Sequence, residues 1–317
     1  MTVQSEVASA ESIERFLDVL RCPHSGVRLI VDGSELVGID GKNRYAIDFA
    51  GVPIFAERGL SAAALAQQAH YDRIASAYTA NLGYPHTQEY MAYLDREMLA
   101  AAGQGSLGTL VELCCGSGEA LPLFGPQVQR YVGVDVSQNM LKSAVSAHRH
   151  GDALFVQADA TCVPLATGCV DTVVMLGGIH HVSARERLFA EVSRILKPGG
   201  RFLFREPVSD FFLWRVLRAM IYRWSPMLDH ATERPLRYEE TVPVLVQAGF
   251  QAIEYRTHGF LGFCFFMNSD VLFFNRVFRF VPGIRAITRL SARVDRAILS
   301  TPGFERAGLQ VIGVARK

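Results

Sequence analysis

The stretch LVELCCGSGEA, from Leu110 to Ala120, decides the fold. An apolar run typical of a buried strand leads directly into a Gly-x-Gly turn at Gly116 and Gly118. Glycine lacks a Cβ and tolerates unusual backbone dihedrals, so the chain can approach a ligand closely at such a turn. The amides of the following helix would then face the ligand. Ordinary tight strand-to-helix connections also contain such glycines, so the role of this turn has to be inferred from other residues.

Short apolar runs alternate with helix-like stretches on both sides of this turn. The alternation is typical of βαβ units and of a parallel sheet. We predict strands over residues 109–113, 130–135, 153–158, 170–176 and 200–205. Two later runs, 251–258 and 308–317, are predicted to form an antiparallel pair at the edge of the same sheet. The sequence therefore predicts an α/β fold.

Two carboxylates follow the next two predicted strands. Asp135 ends the strand RYVGVD, about 20 residues after the glycine turn, where an acid can accept both hydroxyls of a ribose. Ser137 is then predicted to cap the following helix. Asp159 ends the next strand, in QADA, at a position suited to the exocyclic amine of adenine. Each acid alone could instead be a helix cap.

The order of the motifs is characteristic of one family. ELCCGSG, GVD, QADA, the pair His180–His181 and RILKPGG follow one another between Leu110 and Gly200. In this stretch the chain resembles the class I, Rossmann-like S-adenosylmethionine-dependent methyltransferases of the methyltransferase-11 and ubiquinone/menaquinone methyltransferase type. The resemblance implies a seven-stranded sheet with helices on both faces and S-adenosyl-L-methionine as the cofactor. It also implies this set of cofactor-binding residues: Glu112, Cys114, Gly116, Gly118, Asp135, Val136, Met140, Asp159, Ala160, Leu176 and Gly177.

Two further features bear on the cofactor site. The segment HYDRIASAYTANL, residues 70–82, resembles the family's N-terminal lid, which implies that Tyr71 and Tyr78 close over the sulfonium. The glycine turn departs from the family's DxGxG pattern, because Cys114 and Cys115 precede its glycines. A nucleophilic role for either cysteine is disfavoured, since methyl transfer needs no covalent enzyme intermediate.

The domain organisation is predicted in three parts. Residues 1–60 form a small β-rich unit that resembles the zinc-ribbon-derived domain accompanying or activating several methyltransferases. No second cysteine follows Cys22 at zinc-ribbon spacing, and tetrahedral zinc needs four ligands, so we predict no metal. Residues 65–258 and 308–317 form the methyltransferase core. Residues 207–232 and 259–307 form a helical apolar cap inserted before the last strand.

The candidate general bases follow the fourth and fifth core strands. His181 and His180 lie at the carboxyl edge, where doubly wound folds bind their ligands, and either could take a proton from a hydroxyl acceptor. Glu206 is the third candidate, although a carboxylate before Pro207 could equally anchor a loop. Many relatives carry a similar histidine pair without using it as a base.

The acceptor is predicted from the two cap segments, 211–228 and 259–299, which are rich in aromatic residues and arginines. In the second, an apolar stripe recurs at helical spacing opposite Arg285, Arg289, Arg293 and Arg296. Such a helix either lies on an anionic membrane surface or caps the fold with a solvated arginine face. The phenylalanine runs could line an apolar pocket or face lipid. We therefore predict a small or lipid-like acceptor, methylated on oxygen, nitrogen or carbon.

Composition and charge restrict the alternatives. The formal net charge is +1, which disfavours a nucleic-acid partner. No secretory segment or membrane-spanning apolar run is present in the sequence, so a cytoplasmic location is predicted. Membrane association through the cap segments is the alternative. A tRNA, rRNA or protein methyltransferase is the main alternative function, although GGIHH lacks the Asn-Pro-Pro-Tyr type of motif. A non-catalytic Rossmann-like binding protein is the second.

Overall fold

The computed structural model describes residues 12–55, 83–148, 152–224, 234–267 and 275–317. Within these ranges the strands, in chain order, are β1 Leu29–Asp32, β2 Glu35–Gly38, β3 Arg44–Ala46, β4 Gly108–Leu113, β5 Val128–Asp135, β6 Ala153–Gln157, β7 Val170–Leu176, β8 Leu196–Pro207, β9 Gln251–His258 and β10 Gln310–Arg316. The helices are α1 Pro85–Ala102, α2 Ala120–Phe124, α3 Gln138–Ala147, α4 Arg185–Ile195, α5 Phe212–Trp224, α6 Tyr238–Gln247, α7 Leu261–Phe266 and α8 Ile284–Leu299.

The central sheet has seven strands in the order β6-β5-β4-β7-β8-β10-β9. The first five pair in parallel, and β10 runs antiparallel to both β8 and β9. The predicted fold class is therefore confirmed. The order reverses at β4, which lies between β5 and β7, so the loops after these strands diverge there and leave a crevice at the carboxyl edge.

Both faces of the sheet are buried against helices. On one face, Met98 and Ala102 of α1 pack in a cluster with Leu110, Leu203 and Ile312. On the other, α4 contributes its apolar face to a cluster with the opposite side chains of β7 and β8: Leu188, Val192 and Ile195 with Val173 and Phe202. Burial on both faces explains why these strands are continuously apolar in sequence.

The N-terminal residues 12–55 dock on the edge of the central sheet. Their three strands form an antiparallel sheet in the order β1-β2-β3. Residues after β3 pair with edge strand β6: Phe55 N donates to Gln157 O, and Gln157 N donates to Pro53 O, both at 2.9 Å. Before β1, residues 12–14 form one helical turn, and irregular turns follow it. This unit covers an edge strand that would otherwise expose unpaired amides.

The cap contains α7 and α8, between β9 and β10. The predicted amphipathic helix is present as α8. Its buried face is formed by Ile284, Thr288, Ala292, Asp295 and Leu299, whereas Ile287, Leu290 and Val294 of the apolar stripe are 43–61% exposed. On the arginine stripe, Arg289 pairs with Glu89 of α1 at 3.0 Å, and Arg296 pairs with Glu97 of α1. The choice between a membrane-surface helix and a cap helix with a solvated arginine face remains a prediction.

Asp295 attaches α7 and α1 to α8. Its carboxylate is 1% exposed and accepts hydrogen bonds from the Tyr90 hydroxyl at 2.6 Å and from the amides of Phe260, Gly262 and Phe263 at 2.9–3.0 Å. These amides belong to the first turn of α7, whose donors have no partner within the helix. One carboxylate thus joins three elements of the cap.

Replacing Asp295 by alanine should strongly destabilise the protein. The change leaves three amides and a phenol without their acceptor, so we expect a loss of about 3–5 kcal/mol in the free energy of unfolding. Urea unfolding followed by circular dichroism measures this loss. Asp152→Ala is the control, because its pair with Arg15 is half-exposed and should contribute under about 1 kcal/mol. Equal midpoints for the two variants would contradict this role of Asp295.

Among the helices of the described residues, none combines the length and the apolar character that crossing a bilayer requires.

Candidate functional site

The glycine turn after β4 has a left-handed backbone at three residues. Gly116 and Gly118 have φ values of 51° and 82°, and Cys114 has φ 53°, which is uncommon for a residue with a side chain. A Cβ built on Gly178 would lie 2.6 Å from the Cys114 Cβ, so Cys114 packs against a residue that must lack a side chain. Burial and the surrounding carboxylates raise the pKa of the Cys114 thiol. Cys114 therefore stays protonated and acts through shape and backbone rather than as a nucleophile.

Asp135 joins this turn to the loop after β5. Its Oδ2 accepts from the Gly116 amide at 2.8 Å, and its Oδ1 accepts from the Ser137 amide at 2.8 Å. Ser137 caps α3 by accepting from the Met140 amide, which confirms the predicted cap. Asp135 therefore lies at the junction of the glycine turn and the loop after β5, where the sequence predicts the ribose-binding acid. Its contact with a ribose remains a prediction.

Glu112 lies beneath the turn rather than beside it. Its carboxylate is fully buried, accepts from the Ala120 amide at 3.1 Å and accepts from the Tyr131 hydroxyl. Burial raises the pKa of Glu112 to about 8. These contacts fix the start of α2 from below the turn, a bracing role that the sequence did not indicate. Direct contact between Glu112 and a cofactor remains a prediction.

The remaining predicted adenine-side residues surround the same crevice. Met140 lies over the turn, because a Cβ on Gly116 would be 3.2 Å from the Met140 Cε. Asp159 begins the loop after β6, and its Oδ1 accepts from the Thr161 amide and hydroxyl, both at 2.8 Å. This is the local turn contact that the sequence left open for an acid at this position. Ala160 is buried beside it.

Gln157 is a site residue that sequence reasoning missed. Its side chain is buried at the end of β6, where Nε2 donates to Val136 O at 2.8 Å and Oε1 accepts from Gln138 at 3.1 Å. Its own backbone is held by Pro53 and Phe55 of the N-terminal unit. The N-terminal unit therefore supports the loop after Asp135 through this one side chain.

Gln157→Leu should weaken cofactor binding without removing it. The variant leaves the Val136 carbonyl without its donor, so the loop that carries the ribose and adenine contacts loses its fixed position. We expect the Kd for S-adenosylhomocysteine to rise by roughly 5–30-fold, corresponding to about 1–2 kcal/mol. Isothermal titration calorimetry measures the change, and Gln127→Leu, in the distant turn before β5, is the control. An unchanged Kd for Gln157→Leu would contradict this support.

Glu206 fixes the loop after β7. The side chain has no exposed surface, and its carboxylate accepts from the amides of Gly178 and Ile179 at 2.7 Å and from His180 N at 3.3 Å. Its Oε2 also lies 2.8 Å from His180 Nδ1. The carboxylate thus organises the backbone of residues 178–180, which follow directly on the predicted cofactor residues Leu176 and Gly177. This contact set is that of a loop anchor.

His180 and His181 lie side by side at the same edge. Their ring centroids are 3.8 Å apart with the planes tilted by 41°, and the His180 side chain is 14% exposed. The bond between Nδ1 and Glu206 fixes the orientation of the His180 ring. A carboxylate and an imidazole in this arrangement are typical of a histidine that accepts protons. The sequence placed both histidines at this edge but could not show which one Glu206 would hold.

These residues lie together at the carboxyl edge of the sheet. Two glycines with left-handed backbone, whose amides donate to Asp135 and to Cys115 O, lie beside the Asp135 carboxylate. Met140 and Ala160 provide apolar surface on either side of the crevice. The predicted lid residues Tyr71 and Tyr78 lie outside the described residues.

A methyltransferase domain model matches residues 111–204, which span β4 to β8. A ubiquinone/menaquinone biosynthesis C-methyltransferase of Syntrophotalea carbinolica is 29% identical over 211 residues, covering 59% of this chain and 86% of the relative. The chain is a class I S-adenosylmethionine-dependent methyltransferase. The human thiol S-methyltransferase TMT1A is 31% identical to this methyltransferase over 153 residues, which cover 45% of this chain and 60% of the relative.

A solved structure supports the same fold. The methyltransferase resembles phosphoethanolamine N-methyltransferase 2 of Haemonchus contortus in complex with S-adenosyl-L-methionine, with a TM-score of 0.52 and 15% identity, over 98% of this chain and 74% of that one. The match to the methyltransferase domain model, rather than this fold similarity, supports the predicted cofactor, S-adenosyl-L-methionine. The individual contacts of the residues predicted to bind it remain predictions.

Proposed function

We propose that the methyltransferase acts on a small, apolar, lipid-like acceptor. The observation that carries this proposal is an aromatic cluster at the carboxyl edge of the sheet, built from α1, α5 and the cap: Tyr90, Tyr93, Trp214, Phe260, Phe263 and Phe266. Trp214 and Phe260 have ring centroids 5.2 Å apart, and Tyr90 and Phe263 are 5.6 Å apart. These rings are at most 9% exposed and form an apolar core beneath the cap, so an acceptor bound against it would meet apolar groups rather than charges.

One polar pair lies within this cluster. Tyr93 OH is 3.2 Å from His258 Nδ1, at the end of β9. Burial and the nearby Arg256 lower the pKa of His258 to about 4, so the imidazole is neutral at physiological pH. The pair therefore offers hydrogen bonding to a polar group of the acceptor without adding charge to the apolar surface.

The chemistry requires alignment and, for a protonated acceptor atom, a base. The cofactor supplies an electrophilic methyl group whose departure leaves S-adenosylhomocysteine. The protein holds the acceptor in line and excludes water. His180 is the base that the geometry favours, ahead of His181, because Glu206 fixes its ring and stabilises the imidazolium that forms on proton uptake. Glu206 itself is a positioning residue.

The names of the relatives support the acceptor class. One is described as a quinone C-methyltransferase and another as a thiol S-methyltransferase, so lipid-like and thiol acceptors both occur among proteins similar to this chain. We further propose that the acceptor is met at a membrane surface through segments 211–228 and 259–299.

Transfer of radioactive methyl groups tests the proposal. The protein would be incubated with methyl-tritiated cofactor and, separately, with a short-chain prenylated naphthoquinol, an alkyl thiol, bulk tRNA and a protein extract. We expect label in the solvent-extractable fraction with the quinol or the thiol, and none after boiling. Label confined to acid-precipitable RNA or protein would contradict a lipid-like acceptor, as would the absence of label from both small acceptors.

A further inference from the structure

The cap carries a set of large apolar side chains that are about half-exposed. On α8 the stripe of Ile287, Leu290 and Val294 is 43–61% exposed. On α7, Leu261 and Phe265 are 49% and 44% exposed. The two helices cross at Gly262, where a Cβ would lie 2.8 Å from the Ser291 Cβ, and Ser291 borders the exposed stripe of α8. These five residues are called the cap's apolar surface below.

Helix α5 adds exposed apolar residues from the preceding segment. Four of its side chains are about half-exposed: Phe212, Leu213, Val216 and Met220. Trp214, on the buried side of α5, stacks edge-to-face on Phe260, which directly precedes α7. Soluble monomers rarely leave this many large apolar residues exposed on neighbouring helices. The arrangement therefore indicates a binding surface.

The cap segments themselves carry mostly positive charge. Their described parts, 211–224, 259–267 and 275–300, contain nine arginines and one acid, Asp295, which is buried. Arg285, Arg289 and Arg296 pair with Glu89 or Glu97 of α1, which compensates part of this charge. Arg276 and Arg293 are exposed and have no acidic partner among the described residues. An anionic surface would complement this combination of arginines and apolar side chains.

The same charges disfavour another copy of this chain as the occupant. Two such surfaces packed face to face would place arginines opposite arginines, and like charges across an interface oppose association. A bilayer with anionic headgroups neutralises the arginines while the apolar side chains enter the interfacial region.

We propose that the cap's apolar surface docks the methyltransferase on an anionic lipid bilayer. Docking places the aromatic cluster, which lies on the buried side of the same helices, next to the lipid in which an apolar acceptor dissolves. The benefit of docking for catalysis rests on the proposed function. The exposed apolar residues and the arginines are observed whatever the acceptor is.

Sedimentation with sucrose-loaded vesicles tests the docking. The full chain would be mixed at low salt with vesicles of phosphatidylcholine alone or with an equal part of phosphatidylglycerol. We expect the wild type to sediment with the anionic vesicles and much less with the neutral ones. The double variant Leu290→Ser/Val294→Ser should partition at least about tenfold more weakly. Val246→Ser is the matched control, because Val246 on α6 is 57% exposed but far from the cap.

A second pair of variants tests the charge. Arg293→Gln should reduce binding to anionic vesicles and its dependence on salt, whereas Arg187→Gln, on the exposed face of α4, should not. Failure of the wild type to bind anionic vesicles, or equal binding by Leu290→Ser/Val294→Ser, would overturn the proposal. Sedimentation velocity without lipid that shows a dimer dissociated by the same double variant would assign the surface to a second copy and also overturn it.

Activity separates this proposal from the proposed function. On a water-soluble acceptor without vesicles, Leu290→Ser/Val294→Ser should turn over at the wild-type rate, because the substituted residues lie outside the cofactor crevice. Vesicle binding by a protein that methylates neither quinol nor thiol would refute the acceptor class and leave the docking surface supported.

Discussion

Asp135→Ala should raise the Kd for S-adenosylhomocysteine by about 100-fold or more. The carboxylate links the Gly116 amide to the Ser137 amide, and it is the acid predicted to accept the two ribose hydroxyls. Hydrogen bonds to a charged group contribute about 1.5–3 kcal/mol each, so losing the two ribose contacts corresponds to at least about 3 kcal/mol. Isothermal titration calorimetry on the folded variant measures the change.

The matched control for Asp135 is Asp152→Ala. Asp152 lies at the opposite end of the same part of the sheet, just before β6, and pairs only with half-exposed Arg15 among the described residues. We expect its cofactor affinity to equal that of the wild type. Binding that survives Asp135→Ala within a factor of about three, with the fold intact by circular dichroism, would refute the assignment of the ribose to this carboxylate.

His180→Ala should lower kcat by about 10²–10⁴-fold with an acceptor whose reacting atom carries a proton. The reason is the hydrogen bond between Nδ1 and Glu206, which fixes the orientation of the ring for proton transfer. The Kd for the cofactor should change little. Steady-state kinetics with a saturating cofactor concentration measure the effect.

His181→Ala is the control variant for this prediction. His181 lies beside His180, whose ring is the one that bonds Glu206 through Nδ1, so we expect His181→Ala to lower kcat by under about tenfold. The acid limb of the kcat/KM pH profile should disappear in His180→Ala and persist in His181→Ala. A larger loss in His181→Ala, or an unchanged profile in His180→Ala, would move the base to the other histidine.

Strand positions were predictable because burial on both faces leaves a strong local pattern. The bounds of β7 and β9 agree with the predicted runs 170–176 and 251–258, and the glycine turn with Asp135 lies where the motif order placed it. Each of these features depends on neighbouring residues or on one recurrent motif. Local sequence therefore carries enough information to position the crevice.

Contacts between distant residues were not predictable. The role of Gln157 depends on Pro53 and Phe55, about one hundred positions earlier, and the choice between His180 and His181 depends on Glu206. In α8 the helical spacing of the sequence predicted the positions of the apolar and arginine stripes correctly. It could not show that acids of α1 would hold the arginines and that α7 would cross at Gly262, which leaves the apolar stripe exposed.

A crystal structure with S-adenosylhomocysteine tests the cofactor site most directly. The ribose hydroxyls should lie within hydrogen-bond distance of the Asp135 carboxylate, with adenine beside Met140 and Ala160 and the sulfur directed towards the loop at Gly177 and His180. Adenosine density bound away from the glycine turn, or a ribose that does not contact Asp135, would contradict this account.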